Sequence, residues 1–203
     1  LIISDISELV IIRNSREHTT MKNFSDIKLN ENIAKSLDEL GFISPTPIQS
    51  KTIPLLLDTK QDLIGAAQTG TGKTAAFGIP SIHLTDISDK SVQTLILCPT
   101  RELCIQITKD LKKYSKYVKG IQIVPVYGGA SMETQIRALK KGSQIVVGTP
   151  GRTKDMIKRK KLSLVSIDRV VLDEADEMLS MGFKEDLDFI LSNATAGVQK
   201  LLF

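Results

Sequence analysis

The sequence predicts an α/β domain built on a mostly parallel sheet with helices on both faces. Three observations predict it: short apolar runs, helical periods between them, and reactive residue types gathered where the runs end. Runs rich in Val, Ile and Leu that lack polar alternation read as strands buried on both faces. Their alternation with helical segments builds parallel units, and ligands on such sheets bind at the carboxyl ends of the strands. With 203 residues the chain suffices for one large domain and a full core, and is short for two.

Taken in order, residues 1–20 read as a loosely ordered extension, with Met21 as the expected natural start of the patterned sequence. Leu29, Ile33, Leu37 and Leu40 recur at helical spacing, with Asn30 as N-cap and Gly41 as the stop. Strand-like runs follow at Asp62–Ala66, Thr94–Cys98, Ile121–Val126, Gln144–Gly148 and Arg169–Asp173. Between them, Leu103, Ile107, Leu111 and Tyr114 mark one helix, and Ser131–Lys141, before Gly142, another. Thr100 and Thr149 stand where N-caps belong. No internal repeat and no low-complexity linker interrupts this pattern.

Composition narrows the function classes. Hydrophobic residues make up 41% and charged residues 25%, as in ordinary soluble domains. Aromatic residues are 4% with no Trp, which argues against a broad base-stacking surface. The net charge of +4 agrees with a polyanionic partner without establishing one. Cys98 and Cys104 cannot form a metal set or a disulfide framework, so they read as reduced core thiols in a cytoplasmic protein. The apolar stretches Leu1–Ile12 and Val92–Cys98 are too short to cross a bilayer, and the first is no signal peptide, so no membrane partner is expected. The basic run 158–161 reads as a solvated helix end, and His18 and His83 as structural or exposed.

One loop carries specific chemistry. Ala67-Gln68-Thr69-Gly70-Thr71-Gly72-Lys73-Thr74 follows the strand Asp62–Ala66 and leads into a helical segment. It meets the phosphate-loop pattern G-x-x-x-x-G-K-[ST] except that Ala67 replaces the first glycine. In such loops backbone N–H groups cradle phosphate oxygens at a helix N-terminus, the Lys reaches the β- and γ-phosphates, and the hydroxyl ligates Mg²⁺. About a hundred residues on, the apolar run from Arg169 delivers Asp173 and Glu174 to its carboxyl end. There Asp173 can hold magnesium through water, and Glu174 can orient or deprotonate an attacking water. Catalytic roles therefore fall to Lys73, Asp173 and Glu174, with Thr74 and Asp173 as metal ligands and Mg²⁺ and ATP as cofactors.

Asp173-Glu174-Ala175-Asp176 spells the motif that names the DEAD-box RNA helicases, and the chain resembles that family from about Phe24 to Phe203. Phe24, Gly41-Phe42 and Pro45-Thr46-Pro47-Ile48-Gln49 resemble the Q motif. Pro99-Thr100-Arg101-Glu102-Leu103 resembles motif Ia, Gly128-Gly129 the glycine doublet, and Thr149-Pro150-Gly151-Arg152 motif Ib. The run from Asp173 to Phe183 looks most like the bacterial cold-shock and ribosome-assembly members. The resemblance implies the first RecA-like P-loop domain over residues 21–203, truncated at its carboxyl end, with a second RecA-like domain in cis absent.

The same resemblance implies roles. Gln49 would read adenine, Phe24 would stack on it, and Phe42 and Pro47 would complete the base side of the ATP site. Pro99, Thr100, Arg101, Gly128, Gly129, Thr149, Pro150, Gly151 and Arg152 would hold RNA by phosphate and ribose, largely without regard to base sequence. Asp176 would contact the second domain. Thr153 departs from the family, which has an apolar residue after the motif Ib arginine. The implied activity is ATP-dependent unwinding of RNA or remodelling of ribonucleoproteins. An ATP-gated RNA clamp or scaffold without unwinding, and a DNA helicase with a related core, remain as alternatives.

Overall fold

The computed structural model describes residues 9–13 and 21–203. Within them seven strands form one sheet: β1 (Leu9–Arg13), β2 (Asp62–Ala66), β3 (Thr94–Leu97), β4 (Ile123–Val126), β5 (Ile145–Gly148), β6 (Arg169–Leu172) and β7 (Gln199–Leu202). Their order across the sheet is β1-β2-β7-β6-β3-β5-β4, and every pairing is parallel. Parallel neighbours require crossovers, and helices supply them.

Alternate strand residues serve two cores. Ile96, Val147, Val171 and Leu201 face α1 (Glu31–Glu39), α2 (Pro47–Asp58), α3 (Lys73–His83) and α4 (Arg101–Tyr114). Leu95, Leu97, Val146, Val170 and Leu172 face the other way. There they meet α5 (Met132–Lys140), α6 (Pro150–Lys158), α7 (Ala175–Ser180) and α8 (Lys184–Ser192). Full burial of each such aliphatic side chain contributes about 1.5–3 kcal/mol, so neither face of the sheet tolerates polar alternation. The predicted α/β class with helices on both faces is the observed one.

Local signals act where expected. Asn30 Oδ1 accepts from the Asn32 N–H at 2.9 Å at the start of α1, and Gly41 adopts φ +75° just beyond its end. Thr100 Oγ1 accepts from the Leu103 N–H at 3.2 Å and caps α4. Thr149 occupies the N-cap of α6 without a side-chain bond. His83 accepts from the Asn30 N–H at 3.1 Å, a structural role. Lys158 closes α6 and residues 159–161 are exposed, as a solvated helix end requires. Cys98 and Cys104 are buried free thiols.

The expected loose extension over residues 1–20 is corrected at Leu9–Arg13, which pair with Asp62–Ala66 as an edge strand. The run Leu-Val-Ile-Ile is apolar and β-branched at three of its four residues, the composition that a parallel sheet accepts. The rest of that extension, with His18, lies outside the described residues. No described helix is long and apolar enough to cross a membrane.

Candidate nucleotide and nucleic-acid site

The carboxyl ends of β2 and β6, separated only by β7, frame the first half of the site. From β2 the chain turns through residues 67–72, tightened by Thr71 Oγ1 donating to the Gln68 carbonyl at 2.6 Å. Gly70 and Gly72 take φ +80° and +90°, which a Cβ would strain. Helix α3 begins at Lys73 itself, so the N–H groups of Lys73 and Thr74 belong to its unsatisfied first turn and are aimed for an anion.

Opposite, β6 ends and Asp173 follows, buried to 3% exposure. Its Oδ1 has no hydrogen-bond partner among the described residues, and Lys73 Nζ stands 3.9 Å away. Burial pushes the Asp173 carboxyl up to about 6; Lys73 opposes that shift and Glu174 reinforces it. An orphaned buried carboxylate oxygen after β6 and a hydroxyl, Thr74, on the first turn of α3 are hard-oxygen donors of the kind that suits Mg²⁺. Among the described residues no cluster of three or more His, Cys, Asp and Glu forms a closed metal site. A magnesium ion here would thus take its remaining ligands from water and phosphate, as that ion prefers.

Glu174 sits at φ +56°, in the left-handed region, as the N-cap residue of α7. Its N–H donates to the Phe203 carbonyl at 2.8 Å, and the Phe203 N–H donates to the Leu172 carbonyl at 2.9 Å. Strain of this kind in a non-glycine residue persists where surrounding bonds over-determine it. Asp176 lies exposed in the first turn of α7.

On the base side, two residues make contacts that connect distant segments of the chain. Gln49 is buried, its Nε2 donating to the Gly72 carbonyl at 3.0 Å and its Oε1 accepting from the Thr46 N–H at 3.0 Å. Half the amide's hydrogen-bonding capacity is thereby used to brace the phosphate loop. Phe24 is only 6% exposed and meets Phe42 edge-on at 5.3 Å. It joins Phe42 and Tyr114 in an aromatic cluster of the core. Phe42 stays partly exposed, and Pro47 is exposed at the first turn of α2.

The second half of the site gathers three separate loops. The Arg101 guanidinium lies 5.1 Å from the Tyr127 ring centre, and its Nη1 donates to the Gly129 carbonyl at 3.4 Å. Arg152 Nη1 donates to the Ala130 carbonyl at 3.2 Å and to Gln135 Oε1 at 3.3 Å. Gln135 Nε2 closes the circuit by donating to the Tyr127 carbonyl at 2.9 Å. The three motifs thus share one bonded surface. Pro99 and Pro150 are buried beside that surface, at the end of β3 and the start of α6. Gln135 and Tyr127 were not singled out in the sequence, where Gln135 reads as one polar residue of a helix.

This fold and loop geometry define a P-loop domain of the RecA-like class. The family profile described as DEAD/DEAH box helicase matches residues 46–203, and the chain belongs to that family. It is 55% identical over 183 residues to the ATP-dependent RNA helicase CshA of Listeria monocytogenes, covering 90% of this chain and 35% of that protein. It is 50% identical over 184 residues to the ATP-dependent RNA helicase DeaD of Buchnera aphidicola, covering 91% and 30%. A crystal structure of a DEAD box protein from the hyperthermophile Methanococcus jannaschii superposes with a TM-score of 0.86 at 42% identity, over 90% of this chain and 50% of that one. The chain therefore spans about a third of the length of the curated relatives it matches.

Proposed function

We propose that this chain is the ATP-binding half of an RNA helicase, binding Mg·ATP at one end of the sheet and the RNA backbone beside it. The observation that carries the reading is the facing pair Lys73 and Asp173, 3.9 Å apart, whose buried carboxylate oxygen accepts no hydrogen bond among the described residues. Backbone N–H groups of residues 68–73 bind phosphate oxygens, and the Lys73 ammonium balances their charge. Thr74 and Asp173 are the residues that would hold Mg²⁺, which supplies further charge neutralisation when bound. Glu174, fixed by its backbone bond to Phe203, orients water and accepts its proton.

Arg101, Arg152, the glycine doublet and the uncommitted Thr149 hydroxyl suit phosphate and ribose rather than base edges, so binding is largely independent of sequence. The names of the relatives favour RNA over DNA. A second RecA-like domain in cis would meet Asp176. Reduced Cys98 and Cys104 suit a cytoplasmic protein.

The test uses the whole protein that carries this chain. Glu174→Gln should keep Mg·ATP affinity and lose RNA-stimulated phosphate release; unchanged hydrolysis overturns the assignment. Strand release from a short RNA duplex in the parent protein supports unwinding, and ATP-dependent RNA retention without release supports the clamp.

A further inference from the structure

The rim of the sheet opposite the phosphate loop holds another cleft, between the ends of α2 and α3 and the first residues of β3 and β6. It encloses about 260 Å³, with Leu56, Leu57 and Leu84 on its walls and Thr94 and Arg169 among its polar lining. Arg169 is 6% exposed. Its Nε donates to Gln199 Oε1 at 2.8 Å, and Gln199 Nε2 donates to the Gln61 carbonyl at 2.7 Å, which fixes the guanidinium.

A guanidinium carries five N–H donors. This one makes no second hydrogen bond and no ion pair among the described residues. Asp58, Lys60 and Asp168 also line the cleft, and all three are exposed at its rim. Burial pushes the Arg169 guanidinium down to about 10, and Asp168 only partly offsets that. A buried charge lacking a paired partner is costly. A fixed fork of free N–H groups matches the oxygens of a carboxylate or phosphate.

We propose that this cleft binds a small oxyanion-bearing molecule, a carboxylate or phosphate monoester with a short apolar body. Arg169 takes the oxyanion, Lys60 stands at the mouth, and Leu56, Leu57 and Leu84 enclose the body. The volume falls below the range that holds drug-sized ligands, so the occupant is small. Arg169 and Asp173 lie at opposite ends of β6, about 13 Å apart along the strand, so this site is separate from the phosphate loop. Nothing in it depends on ATP binding.

Titrating the chain with butyrate and, separately, with butyl phosphate tests this by amide chemical-shift mapping. Saturable shifts are expected at Thr85, Gln93 and Thr94. Butyrate alone identifies a carboxylate site, butyl phosphate alone a phosphate-ester site, and both a site indifferent to the head group; each supports the proposal. No saturable shift there, or shifts confined to residues 70–74, overturns it. Arg169→Gln should weaken affinity roughly tenfold or more, the worth of a charge-assisted hydrogen bond. Because Arg169 also holds Gln199, a second variant guards against misfolding: Leu84→Asp, at a residue 41% exposed, adds a repelling carboxylate at the mouth. It should weaken binding to a similar degree, and undiminished affinity in either folded variant overturns the site.

Discussion

Gln49 Nε2 donates to the Gly72 carbonyl at 3.0 Å, so the buried start of α2 holds the last turn of the phosphate loop. A Cβ at Gly72 would lie 2.2 Å from that nitrogen, and Gly72 takes φ +90°, so glycine is required twice over. The amide thus ties the base side of the site to its phosphate side. Gln49→Ala should weaken ATP affinity roughly tenfold by releasing the loop, on the scale of one buried hydrogen bond lost. Gln49→Glu should be worse, because its carboxylate confronts the Gly72 carbonyl with a second acceptor. Titration with a fluorescent ATP analogue measures both, and wild-type affinity in the Glu variant would refute the brace.

Asp173 makes stability depend on pH in an unusual direction. Its folded value of about 6 lies above the ordinary 3.8, so between those values the folded chain keeps a proton that the unfolded chain has released. Stability therefore falls as pH rises through that window, by about 3 kcal/mol in total, and this group adds nothing further above it. Asp173→Asn removes the buried charge. The ligand-free variant should melt several degrees higher than the parent at pH 7, with the gain fading toward pH 4. It should also lose magnesium-dependent nucleotide binding. A lower melting temperature at pH 7, read by calorimetry, counts against the desolvated carboxylate.

Local structure that follows from neighbours in sequence is legible in the sequence itself. The positions of five strands, the turn from β2 into α3, the place of Asp173-Glu174 just after β6 and the Asn30 and Thr100 caps all depend on local spacing. What escaped depends on contacts between distant segments. Gln49 and Gly72 are 23 residues apart, so the amide that reads as a base-binding group is found bracing a loop. The burial of Phe24 depends on Phe42 and Tyr114, which only the fold brings near. That Arg169 is held by Gln199 yet has no ion-pair partner among the described residues cannot be read from an apolar run that starts with one cation.

Gln135 joins two of the nucleic-acid motifs through both ends of its amide. Gln135→Leu keeps the bulk but leaves the Tyr127 carbonyl without its donor and frees Arg152 from one anchor. The variant should bind single-stranded RNA several-fold more weakly, through disorder of Arg152 and the glycine doublet, with ATP-analogue affinity unchanged. Fluorescence anisotropy with a short labelled RNA reads the first, and the ATP-analogue titration the second. Equal losses in both would mean that the domain as a whole had been damaged.

Thr153 is fully buried, and its hydroxyl finds no partner among the described residues. The hydroxyl packs against Gly148, where an added Cβ would meet it at 2.3 Å. A buried polar group left unsatisfied costs about 1–3 kcal/mol, whereas a methyl group in the same place costs nothing in hydrogen bonding. Thr153→Val keeps the branched shape and removes the orphan, so it should stabilise the chain by about 1 kcal/mol, or roughly 2–4 °C in melting temperature. Because Thr153 contributes no group to the site, ATP and RNA affinities should be unchanged. Urea unfolding at constant m-value checks the gain, and a loss of stability would mean that the hydroxyl has a partner, such as a buried water, which valine cannot replace.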